Sequence, residues 1–212
     1  MTPDPQGIPT STPNALDWLD RNWPFAGTVA AVFLACLLPL VAGVWPAGLT
    51  LTYLMLLLYL AHQIEEHFGD RFRRFVNEHV GGGANALTPR ATMFINVAEV
   101  WGVFLIVLLL TGLVDVGFGL IIAYTVLLNA VLHIVAAALL RGYNPGLWTA
   151  LALFAPFGAW TLVVVGRASG LGTAGHIIGV LAAVVVHALI ILGVRRRLAR
   201  LAATRTVAPH VN

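Results

Sequence analysis

Six apolar runs, Gly27–Val44, Leu49–Phe68, Ala91–Leu113, Val116–Leu140, Leu147–Val165 and Thr173–Val194, constrain this chain more than any other feature. Each comes close to the ~20 residues an α-helix needs to cross the hydrocarbon core of a bilayer. Lipid offers no partner for backbone N–H and C=O groups, so such runs are expected to satisfy them internally, as helices. A water-soluble fold does not accord with the composition: 59% of the 212 residues are apolar and 10% charged, against about 45–50% and about 25% in soluble domains. The expected fold class is all-α, a polytopic integral membrane bundle of about six transmembrane helices in one domain.

The flanking charges orient this bundle. All twelve basic residues are arginine, and eleven of them (Arg21, Arg71, Arg73, Arg74, Arg90, Arg141, Arg195, Arg196, Arg197, Arg200 and Arg205) fall on one side of a six-span topology. Only Arg167 falls on the other. The positive-inside rule then expects both termini in the cytoplasm, in the inner (plasma) membrane of a bacterium. Residues 1–26 read as a cytoplasmic tail and interfacial segment, 27–194 as the six-helix domain and 195–212 as a basic cytoplasmic tail. The tail proper is Met1–Pro13, with a short interfacial helix over Asn14–Trp23 that holds Trp18 and Trp23 at headgroup depth. The first residues lack the basic start of a cleavable signal peptide, so the amino terminus is expected to be kept. Between spans two and three, Arg71, Phe72, Arg73, Arg74 and Phe75 suggest an amphipathic helix on the inner leaflet. The arginines form no contiguous surface, so nucleic acid is not an expected partner. Membrane lipid is. The single cysteine, Cys36, excludes an intrachain disulfide and reads as a buried apolar residue.

Ionisable groups inside spanning helices cost about 2.5–3.5 kcal/mol each on insertion scales, so their presence asks for a partner or a purpose. Span two carries His62, Glu65 and Glu66 at i, i+3 and i+4, which share one helical stripe, while His67 falls off it. Span three carries Asn96 and Glu99, span four Asn129 and His133, and span six His187. Counted from the cytoplasmic ends, His62, Glu99, His133 and His187 all lie about 9–12 Å deep at ~1.5 Å per residue. Four helices thus bring polar groups to one layer. His176, toward the far end of span six, is expected at the other interface.

Imidazole and carboxylate donors together suit zinc, iron or manganese, and facing helices of a bundle are where metal pairs with carboxylate ligands are built. The expected metal ligands are His62, Glu65, Glu66, Glu99, His133 and His187, enough for one or two transition-metal ions, iron or zinc. Glu65 would bridge the metals or act as base, Tyr143 would donate a hydrogen bond or proton, and Asn96 and Asn129 would orient ligands from behind. The leading functional reading is a metal-dependent enzyme acting on a hydrophobic, lipid-like small molecule, with a di-iron oxidoreductase slightly ahead of a zinc hydrolase. The alternative is a proton- or metal-ion-coupled transporter using the same residues. A hydrogen-bonded network with a purely structural role is the third.

Three short motifs occur in order: His62-Gln63-Ile64-Glu65-Glu66, Asn129 with His133, and Tyr143-Asn144-Pro145-Gly146. In them the chain resembles the HXXEE family of membrane proteins of unknown function, whose patterns H-x-x-E-E, N-x-x-x-H and Y-x-P-G they match. The resemblance implies a helical membrane domain and supports the choice of residues, without implying a reaction.

Overall fold

The computed structural model describes the backbone of residues 14–207 and the side chains of residues 14–204. The tail expected over Met1–Pro13 lies outside the described residues. Every described element is helical. The helices are α1 (Ala15–Ala42), α2 (Ala47–His67), the short α3 (Arg71–His79), α4 (Pro89–Leu113), α5 (Val116–Leu140), α6 (Leu147–Ala168) and α7 (Thr173–Val207). Six helical segments, with α2 and α3 counted together, are long and apolar enough to cross a membrane, so the protein is an all-α integral membrane bundle. No separate interfacial helix precedes the first span: Asn14 caps a single 28-residue helix. Pro24 sits inside it without breaking it, because proline forfeits only one i→i−4 bond, and neighbouring packing in a bundle compensates. At the far end α7 runs unbroken from the apolar stretch through the basic residues 195–200.

α2 and α5 form the centre. In its apolar window, α2 has 56% of its residues buried within the protein, compared with 6% for α1 and 11% for α7. The core brings together Met55 and Tyr59 of α2, Val100, Phe104 and Val107 of α4, Ile122 and Val126 of α5 and Phe154 of α6. α1 packs on α2, and α7 packs along α5, where Gly175 and Gly179 lie against Leu120 and Tyr124. Their outer faces expose Val32, Phe33 and Leu40 on α1 and Leu181, Val185 and Leu189 on α7. Such apolar surface is costly in water and ordinary against lipid tails. Cys36 is exposed on α1, not buried as its apolar run suggested, because α1 offers only one face to the bundle.

Two departures from ideal helix shape the site. α2 ends at His67, and a tight turn follows in which Gly69 (φ 65°) and Asp70 (φ 62°) are left-handed. The chain turns there into α3, whose Phe72 and Val76 face inward while Arg71 and Arg74 are exposed, as an amphipathic helix requires. Within α4 the residues Phe94–Trp101, and within α6 the residues Ala150–Phe154, are π-helical, a feature often found at functional sites. At the cytoplasmic edge expected from the sequence, Arg90 ties α4 to α1 through Asp20 (3.0 Å) and Asp17 (3.6 Å).

Candidate metal centre

The last turns of α2 place His62, Glu66 and His67 on the inside of the bundle, all buried. His133 arrives from α5. Donor atoms of His62, Glu66 and His133 lie within 4.8 Å of one another. Nε2 of His62 is 3.6 Å from Glu66 Oε2, Nε2 of His133 is 3.6 Å from Oε1, and Nε2 of His67 is 3.0 Å from Oε2. The two rings of His62 and His133 meet edge to face, centroids 5.1 Å apart. Three imidazoles therefore converge on one carboxylate.

What lies behind the rings fixes which nitrogen carries hydrogen. Asn144 donates from Nδ2 to the His133 carbonyl (2.9 Å), which leaves its Oδ1 toward His133 Nδ1 at 2.6 Å. His133 Nδ1 must then donate, and Nε2 keeps a free lone pair. Thr149 plays the same part for His62. Its hydroxyl donates to Glu65 Oε2 (2.6 Å), so its oxygen accepts from His62 Nδ1 (2.8 Å), and His62 Nε2 is left bare. Such partners behind a ring orient metal-binding histidines and fix their tautomer. His62 Nε2 is buried without a hydrogen-bond partner, and His67 Nε2 has only the Glu66 carboxylate, at 3.0 Å, before it.

Glu65 does not enter this cluster, contrary to its expected role as ligand or base. Its carboxylate accepts from Tyr143 Oη (2.9 Å), Trp148 N (3.1 Å), Thr149 N (2.7 Å) and Thr149 Oγ1, which occupies its lone pairs. It thereby caps the start of α6, where first-turn N–H groups lack partners and the helix dipole favours an anion. Tyr143 is correspondingly a support of Glu65 and does not touch the buried trio. Partial burial and that hydrogen bond raise its phenol pKa above the ordinary value.

Glu99 is also kept apart. Its carboxylate makes no ion pair or hydrogen bond among the described residues, and it lies outside the group formed by His62, Glu66 and His133. The reason is the π-helical stretch: with i→i+5 bonding each residue turns the helix less, so Glu99 no longer shares the face of Asn96 three residues earlier. Asn96 itself is buried and accepts from Gln63 Nε2 (2.9 Å), while Gln63 Oε1 accepts from Trp101 Nε1 (2.7 Å). It braces α2 against α4 and does not contact a ligand.

His187 and Asn129 line a cavity of about 240 Å³ that also opens onto Glu66, His67 and His133. His187 Nδ1 donates to the Ala183 carbonyl (2.8 Å), so it joins the cavity and not the trio. Asn129 Oδ1 is buried with no partner. His176 pairs with Tyr124 (2.9 Å), nine residues and so about 14 Å up α5 from His133.

His67, Asn144 and Thr149 are the site residues that spacing did not reveal. His67 is off the stripe of an ideal helix, but it ends α2 with φ −110° and is held between Trp23 (4.8 Å) and Phe72 (5.5 Å). Trp23 is buried by this contact, not placed at an interface. Asn144 stands in the motif that carries Gly146. That glycine has φ 99°, and a Cβ there would lie 2.6 Å from His133 Cε1 and 2.7 Å from His62 Cε1. The three motifs thus meet: the first and second supply the rings and the carboxylate, the third the turn on which both rings rest.

Neither the curated proteins nor the solved structures offer a match to this chain. Residues 53–161 match the family model described as a protein of unknown function with HXXEE motif, which runs from the second turn of α2 through most of α6 and includes every residue of the trio. With just over half of its length matched and the three motifs assembled around one site, the chain belongs to that HXXEE family.

Proposed function

We propose that the protein is a membrane-embedded metalloenzyme that holds one transition-metal ion, zinc in the first place, and hydrolyses an ester or amide bond in a lipid-like substrate. The observation that carries this reading is the pair of tautomer locks: Asn144 and Thr149 turn two bare imidazole nitrogens onto a buried carboxylate with no hydrogen between them. Two neutral histidines and one glutamate are a known catalytic zinc set, and they leave coordination positions open. With Glu65 engaged by four donors and Glu99 apart, the gathered ligands suit one ion, and the carboxylate-rich set that favoured a di-iron oxidoreductase is not assembled. Hydrolysis also needs only water, whereas dioxygen chemistry needs an electron source.

A bound metal would supply a water of lowered pKa and polarise the substrate carbonyl. The chain's own residues do the rest. Water oxygen joins the acyl carbon, the bond to the alcohol or amine breaks, and the proton released from water goes to that leaving atom. His187 presents its free Nε2 to the cavity and is placed to carry this proton. Asn129 offers an unpaired amide oxygen to a donor on the substrate. Transport finds less support, since the buried histidines and Glu66 gather in one layer and do not step along the bundle.

Elemental analysis of protein purified without chelators tests the reading. About one equivalent of metal is expected, lost in Glu66→Gln and kept in His176→Gln, with helicity unchanged by circular dichroism. Protein that stays metal-free after incubation with zinc or iron would overturn it.

A further inference from the structure

The cavities around the trio differ in chemistry, and their order suggests what passes through them. Against α1 and the α2–α3 turn lies a cavity of about 420 Å³ lined by Asp20, Arg21, Asp70 and Arg73, with Trp23 and His67. His67 also lines the cavity onto which Glu66 and His133 open. This in turn shares Phe72, Ile95, Ile190 and Ile191 with an apolar groove of about 280 Å³, which runs between α3, α4 and α7 past Val76 and Leu87. The metal-binding cavity thus borders the charged one at His67 and the apolar groove along several side chains, while the charged cavity and the groove meet at Thr92 alone.

We infer that the substrate is a single-chain amphiphile with a phosphate-bearing headgroup, seated with the head in the charged cavity, the chain in the apolar groove and the head-to-chain junction beside Glu66 and His133. The groove is continuous with the reactive cavity through five shared side chains, the four apolar ones and Asn96, so a chain lying in it brings its polar end toward Glu66 and His133. The charged cavity favours an anion: Asp20 is held by Arg90 and Asp70 by Arg73, which leaves Arg21 with no ion pair among the described residues. Arginine suits phosphate because its planar fork of N–H donors matches the oxygens. His67, shared by the charged and reactive cavities, marks the boundary between head and chain. A hydrocarbon chain gains affinity with every methylene it removes from water, so chain length is the property this groove reads.

The inference rests on the hydrolase reading only for the reaction at the junction, and it is tested by binding. Palmitoyl and octanoyl lysophosphatidate, with palmitoyl monoglyceride as the uncharged counterpart, are titrated by tryptophan fluorescence into protein in nanodiscs, both zinc-loaded and metal-stripped. Palmitoyl lysophosphatidate is expected to bind in both preparations and more tightly than the other two probes. Val194→Trp, on the peripheral helix α7 and in the part of the groove beyond the side chains shared with the reactive cavity, is expected to weaken the palmitoyl probe about tenfold, the effect of excluding roughly two methylenes, and to leave the octanoyl probe unchanged. Leu189→Trp, on the lipid-facing side of the same helix, should bind palmitoyl lysophosphatidate like the wild type, which shows that bulk inside the groove and not a damaged helix causes the loss. Arg21→Gln should bring the lysophosphatidate down to the affinity of the monoglyceride. Equal effects of Val194→Trp on both chain lengths, no effect of Arg21→Gln, or no binding by zinc-loaded wild type would each overturn the inference. Binding by a protein that takes up no metal would support it while the hydrolase reading fails.

Discussion

Replacing Gly146 with alanine should disable the site from behind, without touching a ligand. At φ 99° an alanine is strained, at a cost of about 1–3 kcal/mol. The new methyl would stand 2.6 Å from His133 Cε1 and 2.7 Å from His62 Cε1, about 1 Å inside the ~3.5–4.0 Å of an ordinary carbon contact. Neither ring can swing away freely, because Asn144 and Thr149 hold the Nδ1 atoms at 2.6 and 2.8 Å. The turn or the rings must give, and a displacement near 1 Å exceeds the ~0.2 Å within which metal–ligand distances stay acceptable. Metal affinity should fall by about 10–100-fold, as it does when partners behind metal ligands are lost. At about 2–4 °C per kcal/mol, the strain should lower Tm by roughly 2–12 °C. Gly142→Ala is the control, since a Cβ there meets only the Leu140 carbonyl at 3.8 Å. Metal content by mass spectrometry and thermal unfolding in one detergent measure both effects. An alanine at 146 that keeps metal and Tm like the Gly142 variant would refute the cradle.

Glu65→Gln should lower stability by about 1–3 kcal/mol, because an amide cannot accept from all four donors that the carboxylate holds, while Tyr143→Phe should cost about 0.5–1.5 kcal/mol; denaturation in detergent ranks the two, and a larger loss for Tyr143→Phe would contradict the capping role. Glu99→Gln should leave metal content unchanged, since its carboxylate lies outside the trio; loss of metal in this variant would return Glu99 to the ligand set. A reporter active only outside the cytoplasm, fused to the carboxyl terminus, should stay silent under the eleven-to-one arginine bias; a bright fusion would reverse the orientation.

The number and order of the spans could be read from hydropathy because lipid enforces one rule on every residue of a run, while the helix ends moved, as in α1, which begins at Ala15. The central trio was legible for a related reason: His62 and Glu66 are i, i+4 on a regular helix, and His133 matches them in depth. Where the backbone departs from that geometry, periodicity misleads. Glu99 sits on a π-helical stretch that changes its face, and His67 ends a helix and is turned inward by Trp23 and Phe72. Glu65 shows a different limit. Its stripe is right, but the N–H groups at the start of α6 belong to a segment more than eighty residues away, and no local pattern announces them.

The arrangement of lone pairs supports the proposed metal over a proton as the charge that makes a buried Glu66 tolerable. Burying a lone carboxylate is costly, and neutral imidazoles that point bare nitrogens at it add repulsion instead of relief. Nε2 of His67, at 3.0 Å, can donate to Oε2, which still leaves the His62 and His133 nitrogens facing oxygen without hydrogen. Protonating more than one would gather several positive charges in a space where donor atoms are within 4.8 Å. The locks make matters worse for a proton network, because Asn144 and Thr149 hold the Nδ1 hydrogens outward and so forbid the neutral tautomer that would donate to Glu66. A divalent cation answers all of this at once: it accepts from both bare nitrogens and the carboxylate together, and it needs those nitrogens unprotonated. The outward hydrogen bonds, wasteful in a proton relay, are what a metal site requires.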